Sequence, residues 1–170
     1  HALPALSAVA AYGFALVVIV LDQLTKAWML DGLSLREVGR VLIAPPILNF
    51  TYVENTGVSF GLFGGGGSMR WVLSVFSLVV AGALAWWALK AERRLLVAAI
   101  GLVIGGAIGN AIDRIQYGYV VDFIDFSGTG VFPWVFNVAD SAITIGVILL
   151  ILDSLVSERK AGVGAAHEKA

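Results

Sequence analysis

The stretch FNVADSAITIGVILLIL, from Phe136 to Leu152, has the apolar composition of a membrane-spanning helix, with Asp140 as its one charged residue. A helix needs about 20 mostly apolar residues to cross the hydrocarbon core of a bilayer. An ionisable side chain inside that core costs about 2.5 to 3.5 kcal/mol, so it is rare unless it pairs, faces the bundle interior or performs chemistry. The stretch therefore predicts a membrane fold and makes Asp140 a candidate functional residue.

Three further windows are uncharged and almost as long: Leu3–Leu21, Trp71–Leu89 and Leu95–Ile112. Together with the window around Asp140 they predict four transmembrane helices in one integral membrane domain spanning residues 1–170. The expected helix bounds are about 5–30, 69–90, 94–113 and 134–156. We expect the first helix to be a retained anchor, because it is long for a signal peptide, lacks preceding basic residues and runs into LDQLTK.

The two longer connections, residues 31–68 and 114–133, contain strand-like sequence. Aromatic and β-branched residues are frequent in ILNFTYVENTGVSFGLF (Ile47–Phe63) and in YGYVVDFIDF (Tyr117–Phe126), and GGGG then predicts a flexible tip. The predicted fold class is an all-α membrane protein, with four transmembrane helices and a small extracytoplasmic β-sheet and loop subdomain.

Basic residues predict the orientation of these helices. With four spans both termini share one side, and the short connection KAERR (Lys90–Arg94) lies on that side too. Cytoplasmic loops are enriched in Lys and Arg. We therefore expect both termini in the cytoplasm and the two longer connections outside.

Composition excludes several kinds of function. Hydrophobic residues make up 59% of the 170-residue chain, and the net charge of -1 gives no basic surface for nucleic acid. Cysteine is absent, and the two histidines, His1 and His167, lie near the ends. We expect no metal and no other cofactor, which leaves carboxylates, hydroxyls and amides to carry any chemistry.

Polar residues collect at the outward ends of three predicted helices: Asp22, Lys26, Asn110, Asp113, Arg114, Asn137 and Asp140. Asp22 and Lys26 are four residues apart with the acid first, which favours an ion pair along one helix face. The spacing of Asn110, Asp113 and Arg114 places them on a common face as well. Arg114 either snorkels to the interface or braces the site, and spacing does not separate these alternatives.

Asp122 and Asp140 lack an obvious local cation. Two carboxylates held close together cannot both ionise cheaply, so one keeps a proton and the pair can act as acid and base on one water molecule. Alternatively, Asp122 is a loop acid and Asp140 a helix cap beside Ser141. Asp125 competes with Asp122 for the same role. Strand residues three apart point to opposite faces, so only one of the two acids can face Asp140, and periodicity does not show which one.

Four sequence blocks occur in the order LDQLTK, ENTGVSFGLF, GGAIGNAIDRIQYGYVVDFIDF and FNVADSAITIG. Through these blocks the chain resembles the lipoprotein signal peptidase family, also called signal peptidase II. The resemblance implies that Asp122 and Asp140 are the catalytic pair and that Asp125 is not. It also implies roles around the pair for Asn55, Asn110, Asp113, Arg114 and Asn137, with Asp22 and Lys26 supporting the site.

The same resemblance implies a bacterial inner-membrane aspartic endopeptidase. Its substrate would be a prolipoprotein cut immediately before a cysteine that carries a diacylglyceryl group, so signal peptides and membrane lipid would be its partners. It further implies inhibition by the cyclic peptide globomycin, with Ile47–Phe63 cradling the peptide and nearby residues gating access. We expect the chain to be a monomer.

Two functions of other classes compete with a peptidase. A channel or proton-coupled transporter also uses intramembrane acids, but it needs a polar path through both leaflets. The inner halves of the helices, Val72–Leu89, Leu95–Gly109 and Ile143–Leu152, offer only Ser and Thr. A membrane scaffold would use the acids only as caps and ion pairs, so amide substitutions at Asp122 and Asp140 would leave its function intact.

Overall fold

The computed structural model describes residues 3–57 and 67–170, and within them four helices are long and apolar enough to cross a membrane. These are α1 (Leu3–Ala27), α3 (Gly67–Ala88), α4 (Arg94–Tyr117) and α5 (Val138–Glu168). One π-helical turn, Trp28–Gly32, continues α1, and a short helix α2 (Leu35–Val38) follows it. The prediction of four transmembrane helices is confirmed.

Helix α4 is the centre of the bundle, and its glycines allow the other helices to approach closely. A Cβ atom at Gly101 would lie 2.5 Å from the Ala11 carbonyl oxygen, and one at Gly105 would lie 2.6 Å from Val18 Cβ. Lipid tails are as apolar as the side chains, so close backbone packing rather than hydrophobic burial holds such helices together. These glycines therefore fix α1 against α4.

The outer surface of the bundle is apolar. Val9, Phe76 and Trp86 each expose about two thirds of their surface. The packed interior is made of smaller or branched side chains such as Ala11 and Ile100. An apolar exterior of this extent suits acyl chains rather than water, so the chain is a multi-pass membrane protein.

A four-stranded antiparallel sheet covers one end of the bundle. Its strands are β1 (Arg40–Ala44), β2 (Leu48–Asn55), β3 (Val120–Asp125) and β4 (Val135–Phe136), in spatial order β1-β2-β3-β4. Phe50 and Phe123 meet edge to face with ring centroids 5.8 Å apart, beside the buried Met29 and Leu35. The predicted small sheet is confirmed, and its aromatic layer attaches it to the end of α1.

Several boundaries differ from those expected. Helix α4 continues to Tyr117, where Gly118 at φ +88° accommodates the left-handed turn that ends it. Val135 and Phe136 were expected in the last helix but form β4, because Asn137 caps α5 and the helix starts at Val138. Helix α5 also runs on to Glu168. Strand β1 was not predicted, and the expected strand and tip at 58–66 lie outside the described residues.

The topology brings two chain segments to the same place. Strand β3 follows α4 after a two-residue turn, and β4 leads directly into α5. Because β3 pairs with β4, the middle of β3 and the first turn of α5 lie side by side at the end of α4. Asp122 lies on the first of these segments and Asp140 on the second.

Candidate active site

Asp122 lies in the middle of β3 and is almost fully buried. Its Oδ2 atom accepts a hydrogen bond from Asn55 Nδ2 at 3.1 Å, and its Oδ1 atom accepts one from Asn137 Nδ2 at 2.8 Å. Asn55 belongs to the neighbouring strand β2, and Asn137 comes from the loop that starts α5. Two neutral amides thus hold this carboxylate without adding charge.

Asp140 occupies the first turn of α5, where it belongs to a capping box. Its backbone N–H donates to Asn137 Oδ1 at 2.8 Å, while its own Oδ2 accepts from the Asn137 backbone N–H at 3.2 Å. Its Oδ1 accepts from Asn110 Nδ2 at 2.9 Å. Asp140 therefore takes part in capping α5, which was one of the two alternatives for this residue. Its carboxylate also hydrogen-bonds a polar side chain of α4.

Asn137 joins the two acids. Its carboxamide donates to Asp122 through Nδ2 and accepts from the Asp140 backbone through Oδ1, and it is completely buried. The same Nδ2 lies 3.1 Å from Asn110 Oδ1 and 3.2 Å from the Val121 carbonyl oxygen. One side chain therefore ties Asp122, Asp140 and α4 into one cluster.

The electrostatics of the cluster favour a proton on Asp122. Burial, followed by the negative charge of Asp140, raises the pKa of Asp122 to about 7. Hydrogen bonds from Asn55 and Asn137 and the charge of Lys26 act in the opposite direction, but they are weaker. Near neutral pH Asp122 therefore holds a proton for much of the time, as expected for two acids at one site.

Arg114 lies one residue beyond Asp113 and is partly buried at the edge of this cluster. Its Nε atom is buried without a hydrogen-bond partner among residues 3–57 and 67–170. Its Nη2 atom lies 3.8 Å from the position that a Cβ would take at Gly57, two residues after Asn55. Its guanidinium thus lies near the segment that carries Asn55, and a role at the site stays a prediction.

The other predicted supporting residues form a second cluster behind the first. Lys26 Nζ lies 2.7 Å from Asp22 Oδ2 and 2.9 Å from Asp113 Oδ2, and all three side chains are buried. The predicted Asp22–Lys26 ion pair is confirmed. Asp113, expected around the acid pair, binds Lys26 and also accepts a hydrogen bond from the backbone N–H of Val121, the neighbour of Asp122.

Asp125 lies on the opposite face of β3 from Asp122, as strand alternation predicts. Its Oδ2 accepts from Thr51 Oγ1 at 2.6 Å, and its Oδ1 accepts from the Ser127 backbone N–H at 2.8 Å. Arg40 Nη2 is 3.7 Å away. The hydrogen bonds from Ser127 and Thr51 hold the pKa of Asp125 below its usual range, so this acid is ionised and structurally engaged.

A groove of about 510 Å³ opens beside Asp140. Its lining residues are Asn55, Phe132, Trp134, Val135, Phe136, Asp140, Ser141, Thr144 and Ile145. The Phe132 ring packs edge to face on Trp134 and Phe136, at centroid distances of 5.2 and 5.5 Å. A carboxylate thus lies at the side of an apolar, aromatic cleft.

Sequence reasoning missed two features of this region. Gln23 is uncharged and was passed over inside LDQLTK, yet its Nε2 lies 3.0 Å from Asp113 Oδ1 and 3.2 Å from Asp22 Oδ2. The aromatic wall of Phe132 and Trp134 was missed because the final helix was expected to include Trp134. The spacing of Asn137 and Asp140, three apart before an apolar run, is the capping signal that could have placed the start of α5.

Comparisons with known proteins identify the family of the chain. A family model described as Signal peptidase (SPase) II matches residues 14–156. The lipoprotein signal peptidase of Caulobacter vibrioides is 54% identical over 149 residues, which cover 87% of this chain and 88% of the relative. That of Shewanella loihica is 46% identical over 153 residues, covering 88% of each chain.

Solved structures of a bacterial membrane enzyme have the same fold. One, obtained by the in meso method at 2.3 Å resolution, superposes with a TM-score of 0.74 at 32% identity, covering 87% of this chain and 88% of that one. A second, at 1.9 Å, gives a TM-score of 0.73 at 33% identity, covering 85% and 92%. Family model, relatives and fold agree over most of the chain, and the protein belongs to the signal peptidase II family.

Proposed function

We propose that this chain is an aspartic endopeptidase that removes the signal peptide from diacylglyceryl-modified prolipoproteins, cutting immediately before the lipidated cysteine. Asp122 and Asp140 are its catalytic residues. The observation that carries the proposal is the single buried amide of Asn137, which contacts the Asp122 carboxylate and the Asp140 backbone together. Membership of the signal peptidase II family and the names of its relatives support the substrate class.

The chemistry needs only the two acids and a water molecule. Asp140 takes a proton from the water, whose oxygen attacks the carbonyl carbon of the scissile bond. Protonated Asp122 donates to the carbonyl oxygen and so stabilises the tetrahedral intermediate. When the C–N bond breaks, the proton on Asp140 passes to the leaving amine, and the reforming carbonyl returns its proton to Asp122. The raised pKa of Asp122 supports its role as the acid.

Neighbouring groups bind the peptide. The buried Nε of Arg114 lacks a partner among the described residues, and a guanidinium beside the acids suits a substrate carbonyl. Strand β4 pairs with β3 on one side, and no strand within residues 3–57 and 67–170 pairs with its other edge, where a substrate backbone could add as a further strand. Asn55 then both orients Asp122 and borders the groove.

The location of the acids fits a substrate anchored by lipid. They lie at the sheet-covered end of the bundle, while the basic connection between α3 and α4 lies at the other end. With that basic end in the cytoplasm, both termini are cytoplasmic and the site lies at the extracytoplasmic face of the bacterial inner membrane. The groove accepts the apolar substrate from the lipid side, and one chain suffices because it supplies both acids.

A transporter is less well supported. The buried interior between the two ends of the bundle consists of apolar side chains, among them Ala11, Ala15, Ile100 and Ile104. A proton path would need ionisable or hydroxyl groups along that length. The clustering of acids and amides at one end instead favours chemistry at a membrane surface.

The test is a gel-shift assay of a lipidated precursor with purified full-length variants. Asp122→Asn and Asp140→Asn should each abolish cleavage, because a carboxamide can neither take a proton from water nor deliver one. Asp125→Asn is the matched control, since it removes a buried acid from the same strand but on the other face. Cleavage at the normal rate by Asp122→Asn or Asp140→Asn would reject the proposal. Globomycin should block the wild-type reaction.

A further inference from the structure

Lys26 is the only cation that contacts the buried acids at the end of α1 and α4 within residues 3–57 and 67–170. Its ammonium group has three donors, and three acceptors surround it: Asp22 Oδ2 at 2.7 Å, Asp113 Oδ2 at 2.9 Å and Asn110 Oδ1 at 3.2 Å. Lys26 thus donates hydrogen bonds to Asp22 and Asn110 and forms an ion pair with Asp113 in a buried site. We call Lys26, Asp22 and Asp113 the lysine clamp.

Each acid of the clamp also holds a backbone amide. Asp22 Oδ1 accepts from the Ala139 N–H at 3.0 Å, and Asp113 Oδ2 accepts from the Val121 N–H at 3.0 Å. Ala139 immediately precedes Asp140, and Val121 immediately precedes Asp122. Both amides belong to buried residues, so losing either hydrogen bond would leave an unsatisfied polar group.

The hydrogen bonds of Asp22 and Asp113 therefore reach the residues next to the two proposed catalytic acids. One ammonium group holds two carboxylates, and each carboxylate holds the peptide unit next to one acid. The third donor of Lys26 acts through Asn110, whose Nδ2 hydrogen-bonds Asp140 Oδ1. The separation of Asp122 and Asp140 then follows from the geometry around a single nitrogen atom.

We propose that the lysine clamp is the positioning device that sets the distance between the Asp122 and Asp140 carboxylates, with Lys26 at its centre and Gln23 completing it. This inference rests on the proposed function. Gln23 Nε2 lies within hydrogen-bond reach of Asp113, Asp22 and the Gly109 carbonyl oxygen, at 3.0 to 3.2 Å. It links the two acids without a second charge.

The clamp makes a kinetic prediction that separates positioning from general stability. Lys26→Met should lower kcat about a hundredfold, the effect of misplacing catalytic groups by about 1 Å, with KM unchanged. Lys26→Arg should not restore kcat, because a planar guanidinium cannot direct donors at three acceptors around one point. The matched control is Arg93→Met, which removes the Arg93–Asp153 ion pair between α4 and α5 (2.7 Å), far from the acids. It should keep kcat.

Amide hydrogen exchange, followed by NMR on the full-length chain in detergent micelles, tests the clamp without using activity. Lys26→Met should speed exchange at both Val121 and Ala139, Asp113→Ala at Val121 alone, and Asp22→Ala at Ala139 alone. If Lys26→Met does not fold, the Asp113→Ala and Asp22→Ala variants provide the test. Unchanged exchange at these amides, or a normal kcat in a folded Lys26→Met protein, would overturn the clamp.

Failure of the clamp and failure of the proposed function are distinguishable. Inactive Asp122→Asn and Asp140→Asn proteins together with a fully active Lys26→Met protein would reject the clamp and keep the peptidase. Active Asp122→Asn or Asp140→Asn proteins would reject the peptidase mechanism. The hydrogen-exchange pattern at Val121 and Ala139 would still decide whether the clamp orders this part of the backbone.

Discussion

Asn137 has two separable roles. Its side-chain oxygen caps α5, and its amide nitrogen donates a hydrogen bond to Asp122. Serine is about as good an N-cap as asparagine, but it has no second group that could reach Asp122. We expect Asn137→Ser to retain most of the thermal stability and to lose most of the cleavage rate.

Asn137→Ala is the companion variant, because it removes both jobs. It should unfold at a lower temperature than Asn137→Ser, by the loss of a cap worth about 1 kcal/mol. Thermal unfolding in micelles and a single-turnover cleavage assay measure the two effects. Equal cleavage rates for Asn137→Ser and wild type would show that the contact with Asp122 is dispensable.

The pH dependence of cleavage should follow Asp122. Burial and the charge of Asp140 raise its pKa to about 7, and the mechanism uses its protonated form. The value of kcat/KM should therefore fall as the pH rises through about 7. A profile measured on the lipidated precursor checks this, and Asp125→Asn should leave the profile unchanged. A rate that stays flat to high pH would assign the acid role to another group.

Stability should depend on pH with opposite signs for the two acids of β3. The unfolded pKa of an Asp is about 3.9, so a raised folded pKa makes Asp122 contribute stability that is lost as the pH rises towards 7. Asp125 has a lowered pKa and contributes stability that is lost as the pH falls. Asp122→Asn should thus gain stability relative to wild type as the pH rises from about 4 to 7, whereas the stability deficit of Asp125→Asn should shrink as the pH falls below about 4; thermal unfolding measures both.

At the scale of elements, α4 places the site through its close contacts. A Cβ at Gly109 would lie 2.7 Å from Asp22 Oδ2 and 3.4 Å from Ala139 Cβ, so it would push apart the segments that carry the acids. Gly109→Ala should therefore reduce both cleavage and thermal stability. Gly82→Ala on α3, where nothing lies within 4 Å, is the control and should be neutral or up to about 1 kcal/mol stabilising. Full activity in Gly109→Ala would contradict this packing.

Strand β4 and the residues before it form the aromatic wall of the groove. Trp134→Ala should raise KM for the lipidated precursor and leave kcat nearly unchanged, because Trp134 lines the groove and forms no hydrogen bond with either acid among the described residues. Trp86→Ala is a matched control, since Trp86 on α3 is equally exposed, at 66%. Equal KM values for the two variants would remove the wall from the binding site.

The elements also show where sequence reasoning succeeds. Long apolar windows specify α1, α3, α4 and α5 because a bilayer imposes length and composition on every span. Strand β4 was missed because two residues carry no periodicity, and the helix signal after it is strong. The Asp22–Lys26 pair is local and could be predicted, whereas the link from Lys26 to Asp113 joins two helices and depends on the glycines that let them meet.

At the scale of the whole molecule, the charges lie at the two ends and the interior is apolar. We expect the sheet end to be extracytoplasmic. The chain has no cysteine, so single cysteines introduced at Val131 and Ala165 give unambiguous labelling with a membrane-impermeant maleimide. In intact spheroplasts Val131→Cys should label and Ala165→Cys should label only after lysis. The reverse pattern would invert the topology.

Because Asn137 caps α5 and Asp140 lies in its first turn, the proposed site is incomplete until this helix has been synthesised. The nascent polypeptide, with its first three spans already inserted, holds Asp122 but lacks both its amide donor from α5 and its partner acid. Under the proposed function, this intermediate does not cleave precursors. Cleavage under the proposed function therefore requires α5 to pack against α4, where Asn110 hydrogen-bonds Asp140.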